Sequence, residues 1–141
     1  MIELRPCAGE AELVDPAVVG EFVEAMAQVA KSEQVAPWCS YVGRRAGQPV
    51  GFGGFKGPPD AEGTVEIGYL TFPAHEGQGV AAQVAEALVA IARANGAKQV
   101  IAHTLCEPNA STKVLEKNGF IRDGFGQDDD EGQVWRWKRE P

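Results

Sequence analysis

The chain has 141 residues, of which 44% are hydrophobic and 23% charged, and this is the composition of one ordinary globular domain. Its 20 acidic residues outnumber its 13 basic ones, and the net charge of −7 argues against a nucleic-acid partner, because phosphate backbones attract basic proteins. Without an apolar run of the roughly 20 residues that span a bilayer, and without a secretion signal at the start, the sequence predicts no membrane partner and a cytoplasmic location.

The first half of the chain predicts a strand, a helix and three further strands. The helix runs from about Pro16 to Ser32, where Asp15 suits the N-cap and Pro16 the first turn. After this helix the apolar period changes to that of strands. The predicted strands cover residues 38–42, 49–55 and 64–72.

The second half predicts a helix, a strand, a short helix and a closing hairpin. A helix from about Gly79 to Asn95 should end at a left-handed Gly96. The later elements cover residues 99–105, 111–118, 120–125 and 134–138. Four acidic residues and a glycine at 128–132 indicate a solvated hairpin tip. Three consecutive strands do not suit a doubly wound sheet, so the order predicts an α/β (α+β) fold with a mixed sheet and helices on both faces.

The segment 68–81 carries the clearest chemical signal. It reads as a strand, a proline turn and a glycine-spaced loop that opens a helix. Such a helix start offers unpaired N–H groups and a positive dipole end, while Gly77 and Gly79 let a phosphate approach the backbone. The segment lacks G-K-[ST] and fits a dinucleotide loop poorly. It predicts a pyrophosphate cradle, although a glycine turn that merely starts a helix has the same pattern.

Three motifs in order carry a family resemblance. Residues 76–81, EGQGVA, are similar to the acetyl-coenzyme A motif [QR]-x-x-G-x-[GA] of the GNAT acetyltransferases, with Glu76 where Gln or Arg is usual. Residues 51–69 resemble the two strands before that motif. Residues 109–120, NASTKVLEKNGF, resemble the later N-x-S…L-E-K-x-G-F segment. The pattern is most similar to the branch that includes ribosomal-protein alanine acetyltransferases.

The resemblance implies one N-acetyltransferase domain over residues 1–141, with a mostly antiparallel sheet of about six to seven strands and a splayed central strand pair. It implies acetyl-coenzyme A as the cofactor and direct attack by a primary amine in a ternary complex. No metal is expected, and Cys7, Cys39 and Cys106 are too scattered for a zinc site or a disulfide framework. The implied cofactor-binding residues are Leu70, Thr71, Phe72, Gly77, Gln78, Gly79, Val80, Ala81, Asn109 and Ser111.

The resemblance also leaves the proton-transfer groups open. Many relatives place a tyrosine acid where this chain has Leu115. The catalytic candidates are therefore Glu66 as a base, directly or through water, together with Ser111 and Tyr69. Each of these residues, like Asn109, also has an alternative interpretation. Glu66 is then a paired strand carboxylate, Ser111 and Asn109 cap the short helix, and Tyr69 belongs to the core or to the wall of the substrate site. His75 is expected to be exposed, and His103 to be a satisfied core residue.

Two rival functions remain at this stage. The missing tyrosine favours a non-catalytic acyl-coenzyme A-binding module. An interaction domain could instead use Trp135 and Trp137 as a partner surface. For the enzyme, the acceptor is predicted to be a small-molecule amine or a protein N-terminal amine, and a homodimer stays open.

Overall fold

The computed structural model describes residues 2–7, 15–31 and 35–141. These residues form a seven-stranded sheet in the order β1-β2-β3-β4-β5-β7-β6, together with four α-helices. The strands are β1 (Glu3–Pro6), β2 (Ser40–Arg45), β3 (Gln48–Phe55), β4 (Thr64–Thr71), β5 (Gln99–Thr104), β6 (Ile121–Asp128) and β7 (Gly132–Arg139). The helices are α1 (Pro16–Val19), α2 (Val23–Lys31), α3 (Val80–Ala94) and α4 (Ala110–Lys117).

The centre of the sheet contains a fork between β4 and β5. These two strands are parallel, and their pairing covers only Thr64–Glu66 and Gln99–Ile101. Beyond Glu66, β4 continues to Thr71 with no strand partner on the β5 side among the described residues, while the other neighbouring strands are antiparallel. The predicted fold is therefore confirmed: a mixed, mostly antiparallel sheet with a splayed central strand pair.

Two apolar cores cover the two faces of the sheet. The larger core packs α3 and α4 on one face, with fully buried Val84, Leu88 and Leu115 at its centre. On the other face, Val19 and Met26 from α1 and α2 pack against Val42 and Phe72. Alternation along each strand separates the two sets, because successive side chains point to opposite faces.

Glycines in β3 set the position of α3 on the sheet. A Cβ atom at Gly51 would lie 2.7 Å from Val80 Cγ1, and one at Gly53 would lie 2.4 Å from Val84 Cγ1. The helix can pack this closely only because these two strand residues lack side chains. The glycine-rich strand seen in the sequence thus fixes where the first turn of α3 stands.

The first predicted helix is interrupted. A 3₁₀ turn, Gly20–Phe22, separates α1 from α2, and α2 ends at Lys31, so the predicted end at Ser32 lies outside the described residues. Gly20 has φ of 56°, and a Cβ atom there would lie 2.8 Å from Cγ of Pro73. A glycine is needed at this contact, and it breaks the helix.

Several strand boundaries also differ from the sequence prediction. β2 begins at Ser40 rather than Trp38, whose ring packs edge-on against Phe55 with centroids 5.0 Å apart. The closing hairpin is longer than predicted, because β6 and β7 continue to the acidic tip. That tip is confirmed: Asp128 Oδ2 accepts hydrogen bonds from the backbone N–H groups of Asp130 and Glu131, at 3.1 and 3.0 Å.

In the described part of the chain, no helix combines the length and apolar character needed to cross a membrane.

Candidate active site

A cleft of about 620 Å³ lies between the open edge of β4, the start of α3 and α4. Its volume is in the range of small-molecule sites. Tyr69 and Ser111 line it from the α3/α4 face, while Phe22 and Leu70 belong to the apolar layer of the opposite face. The cleft therefore reaches both sides of the sheet at the fork.

The glycine-spaced loop forms one wall of this cleft. Gly77 and Gly79 have φ of 78° and 75°, and a Cβ atom at either would meet no atom within 4 Å. Gly79 is the N-cap of α3, and no side chain in the described part of the chain caps this helix. The first-turn N–H groups of this 15-residue helix therefore have no side-chain cap among the described residues, and the anion site predicted there stays a prediction.

Not all of the residues predicted to hold a pyrophosphate line the cleft. Gly77, Gly79, Val80 and Ala81 line the cleft, whereas Gln78 does not. Gln78 Oε1 instead lies 3.4 Å from Arg45 Nη1 and 3.3 Å from His75 Nδ1. The Gln78 side chain therefore contacts Arg45 and His75 outside the cleft, and only the Gln78 backbone remains a candidate to bind a phosphate.

The backbone of β4 also corrects part of the prediction. Phe72 N donates to Val50 O at 2.9 Å, so its N–H faces β3. Because polar backbone groups alternate along a strand, those of Leu70 face β3 as well, whereas those of Tyr69 and Thr71 face the fork. Of the three residues predicted to offer backbone groups to a cofactor arm, only Thr71 has them on the open edge.

Tyr69 and Ser111 meet inside the cleft. The Tyr69 hydroxyl lies 3.0 Å from Ser111 Oγ and 3.3 Å from the Ser111 carbonyl oxygen. Burial raises the pKa of the Tyr69 phenol above its usual value, and the hydrogen bond with Ser111 only partly opposes this effect. The phenol is therefore a protonated hydrogen-bond donor at neutral pH.

Asn109 has a different position from the one predicted. Its side chain accepts a hydrogen bond from Thr112 N at 2.9 Å, and its own N–H donates to Thr112 Oγ1 at 2.9 Å. This reciprocal pair is a capping box at the start of α4. Asn109 is absent from the cleft wall, so the capping role weighed for it is the one that the structure shows.

Glu66 lies on the face opposite Tyr69. Its Oε2 atom is 2.9 Å from Lys56 Nζ and 3.0 Å from His103 Nδ1. The three side chains line a second, smaller pocket of about 160 Å³ together with Gln127, Asp128 and Asp129 of the hairpin. Glu66 is thus a paired carboxylate, and His103, expected to be a core residue, is only half-buried and lines a pocket.

Residues 10–121 match the family model for the acetyltransferase (GNAT) domain. The chain belongs to the GNAT acetyltransferase family. The match covers most of the chain, including the glycine loop, the fork and α4, and it confirms the family predicted from the sequence. A search of curated proteins by sequence found no match.

Solved structures of other GNAT acetyltransferases share the fold. An N-acetyltransferase from Staphylococcus aureus Mu50 is 18% identical, with a TM-score of 0.75 and coverage of 99% of this chain and 98% of that one. An aminoglycoside acetyltransferase in complex with coenzyme A and kanamycin is 16% identical, with a TM-score of 0.76 and coverage of 99% and 95%. The Salmonella typhimurium acetyltransferase that modifies the N-terminal serine of ribosomal protein L7/L12 is 18% identical, with a TM-score of 0.75 and coverage of 99% and 95%.

Two features of this acetyltransferase bear on its chemistry. Leu115, which the resemblance aligns with the tyrosine acid of many relatives, is fully buried in the α3/α4 core and has no group that could donate a proton. Lys113 and Lys117, one helical turn apart on α4, line the cleft. These two lysines were not among the residues predicted from the sequence, and only the structure places them on the cleft wall.

Proposed function

We propose that the protein is an acetyl-coenzyme A-dependent N-acetyltransferase that acetylates a primary amine by direct attack in a ternary complex. The observation that carries this proposal is the cleft itself, which connects the uncapped start of α3 to the open edge of β4 and to the Tyr69 phenol. We also propose that residues 1–141 form one domain, since β6 and β7 extend the same sheet beyond residue 121. A cytoplasmic location and a homodimer stay predictions.

The residues of the cleft fit coenzyme A. The α3 start and the side-chain-free Gly77 and Gly79 suit a pyrophosphate, and Lys113 and Lys117 add positive charge on the opposite wall. The unpaired backbone of Thr71 and Tyr69 suits an amide-containing arm. Glu76 is exposed at the edge of the cleft, where its charge weakens the attraction for phosphates without blocking them.

Acetyl-coenzyme A supplies the acetyl group as a thioester, so that a carbon–nitrogen bond forms, the carbon–sulfur bond breaks and free thiol is released. The protein must then remove one proton from the amine and deliver one to the sulfur. The Tyr69 phenol, which burial keeps protonated and Ser111 holds in place, is the proposed proton donor. Backbone N–H groups on the open edge of β4 are suited to stabilise negative charge on the carbonyl oxygen.

The same geometry argues against the two alternative functions, a non-catalytic binding module and an interaction domain. A non-catalytic binding module was favoured by the absence of a tyrosine at position 115, but Tyr69 brings a phenol into the cleft from β4. The proposed tryptophan surface is not exposed, because Trp137 is buried and Trp135 packs against it and carries Arg122 over its ring. Both tryptophans are better explained as structural residues.

The proposal is tested in two steps. Calorimetry with coenzyme A comes first, followed by thiol release from acetyl-coenzyme A in the presence of primary amines. Suitable amines are spermidine, kanamycin and a peptide with an N-terminal serine, since acetyltransferases with this fold are named for such acceptors. Amine-dependent thiol release supports the enzyme. Binding of coenzyme A without release for any amine supports the binding module, and no binding overturns both.

A further inference from the structure

We infer that the pocket formed by Lys56, Glu66, His103, Gln127, Asp128 and Asp129 receives the acceptor as a cationic amine, and that His103, positioned by Glu66, takes its proton. This inference rests on the proposed function and assigns the acceptor side of the same site. It moves the role of base from Glu66 to the imidazole beside it.

The position of the pocket relative to the fork is the first argument. Glu66 is the last residue of β4 that pairs with β5, and its partner there is Ile101. His103 lies two residues after Ile101, beside the open part of the fork. Their side chains lie on the face opposite the Tyr69 phenol. An amine in this pocket would therefore approach the fork from one face, while the cleft lined by Tyr69 and Ser111 opens on the other.

The hydrogen bonds fix which nitrogen of His103 can act as a base. Glu66 Oε2 accepts from Lys56 Nζ at 2.9 Å and faces His103 Nδ1 at 3.0 Å. A carboxylate oxygen can only accept, so Nδ1 carries the hydrogen and Nε2 keeps its lone pair. Glu66 Oε2 already accepts from two donors, whereas His103 Nε2 keeps a lone pair that can take a proton, and histidine is the side chain that most often acts as a general base. Glu66 is then a positioning residue that selects the tautomer, as a carboxylate does in a catalytic triad.

Gly126 in β6 makes the room for this ring. A Cβ atom at Gly126 would lie 2.5 Å from His103 Nε2 and 2.7 Å from Cδ2, which is too close for any side chain. The atoms that the Cβ atom would meet belong to the His103 ring, so a side chain at residue 126 would push this ring out of its position. The position of Nε2 therefore depends on glycine at residue 126.

The charge of the pocket specifies the class of acceptor. The Lys56–Glu66 pair is neutral as a unit, and the carboxylates of Asp128 and Asp129 remain. An ammonium group would be attracted to them, and an anionic amine repelled. Arg136 lies opposite His103 in the sheet, but it pairs with Asp123 at 2.9 Å, and neither Arg136 nor Lys138, which faces the same carboxylate at 3.6 Å, lines the pocket. The pocket suits an amine with positive charge and no nearby carboxylate.

The proton balance is complete with these groups. The bound ammonium first loses one proton to water and becomes a nucleophile. As its nitrogen bonds to the acetyl carbon, the second proton passes to His103 Nε2, and the leaving sulfur receives the Tyr69 proton. His103 and Tyr69 afterwards exchange protons with solvent, so that no further reactant is consumed.

The kinetic test uses the amine of the panel with the highest kcat/KM. Asparagine places an amide nitrogen where His103 has Nδ1, so His103→Asn can keep the hydrogen bond to Glu66 but has no base. We expect kcat/KM to fall by about 100-fold or more, the scale of general-base catalysis, with the affinity for acetyl-coenzyme A within twofold of wild type. Gly126→Ala should cause a comparable loss, since it displaces the ring. Asp129→Asn should raise KM for the amine several-fold, while its neighbour Asp130→Asn, which is outside the pocket, should not.

A readout without turnover comes from ¹⁵N NMR of the histidine rings. We expect His103 to show a protonated Nδ1 and a bare Nε2 at pH 8, to lose this preference in Glu66→Gln, and to shift when spermidine is added to the protein with coenzyme A. His75, in the proline turn, is the internal reference. The inference is overturned if His103→Asn stays within threefold of wild type, if Nε2 carries the hydrogen, or if no amine of the panel shifts the His103 signals. Absence of coenzyme A binding would instead overturn the proposed function beneath it.

Discussion

The hydroxyl of Tyr69 in β4 lies 3.0 Å from the hydroxyl of Ser111 in the first turn of α4. The two residues are 42 positions apart in sequence, and both line the cleft. It places a phenol from β4 in the cleft of a chain whose α4 has leucine at position 115. The acid that we propose therefore comes from β4 and not from α4.

The role of Tyr69 is tested by removing its hydroxyl. We expect Tyr69→Phe to lower kcat by about 100-fold, which is the lower range for loss of a general acid, with little change in the affinity for acetyl-coenzyme A. Ser111→Ala should have a smaller effect, because it removes only the partner. Tyr41→Phe is the matched control, since its hydroxyl donates to Pro37 O at 2.7 Å and lies outside the cleft. An unchanged kcat in Tyr69→Phe would show that solvent protonates the sulfur.

The phosphate cradle is tested at Gly79. We expect Gly79→Asp to weaken coenzyme A binding at least 10-fold in calorimetry, because it puts a carboxylate at the start of α3 where a phosphate would be bound. Gly96→Asp is the control for backbone strain: Gly96 has φ of 81°, similar to the 75° of Gly79, and a Cβ atom at either position meets nothing within 4 Å. Equal affinity in the two variants would place the pyrophosphate elsewhere.

Glu76 is expected to lower the affinity of the cleft. It stands where relatives have Gln or Arg, and its carboxylate lies on the cleft wall near the proposed phosphate position. Glu76→Gln should therefore tighten coenzyme A binding by about two- to tenfold, and the gain should shrink at high salt because the residue is exposed and screened. Glu86→Gln, an exposed change on α3 away from the cleft, controls for net charge. A loss of affinity in Glu76→Gln would mean that the carboxylate supports the loop.

Much of the architecture could be read from the sequence because it depends on local patterns. The glycine loop, the end of α3 before a left-handed Gly96 and the acidic hairpin tip each follow from residue types at fixed spacing. The break at Gly20 could not be predicted, because it depends on the contact with Pro73, 53 residues further along the chain.

The acceptor pocket was beyond sequence reasoning for the same reason. Glu66, His103 and Gly126 come from three strands, and only the register of the sheet brings them together. The sequence also leaves open whether Asn109 or Ser111 caps α4. In the structure Asn109 caps the helix, and the Ser111 side chain contacts the Tyr69 hydroxyl. The alternation of β4 decides in the same way that Thr71, and not Leu70 or Phe72, faces the fork.

The last prediction concerns alkaline pH and both tyrosines of the chain. Burial raises the pKa of Tyr69, and burial together with the neighbouring Cys39 raises that of Tyr41. An unfolded tyrosine ionises near pH 10, so between pH 10 and the higher folded-state values the unfolded chain releases protons that the folded chain retains. The contribution of the raised tyrosine pKa values to the free energy of unfolding is therefore fully present below about pH 10. Above that pH it decreases by up to about 1.4 kcal/mol per pH unit for each tyrosine.

Two measurements check this expectation. Ultraviolet absorbance should show no tyrosinate in the native protein up to about pH 10, while the protein in guanidinium chloride titrates near that value. Urea unfolding at a series of pH values should show a steeper loss of stability above pH 10 in wild type than in Tyr41→Phe, because the variant lacks one of the two shifted groups. Groups that do not contact Tyr41 cancel in this difference, whereas Cys39 interacts with the Tyr41 hydroxyl and its contribution is part of the measured effect. Equal slopes in the two proteins would mean that the Tyr41 hydroxyl reaches solvent in the folded state, despite its hydrogen bond to Pro37.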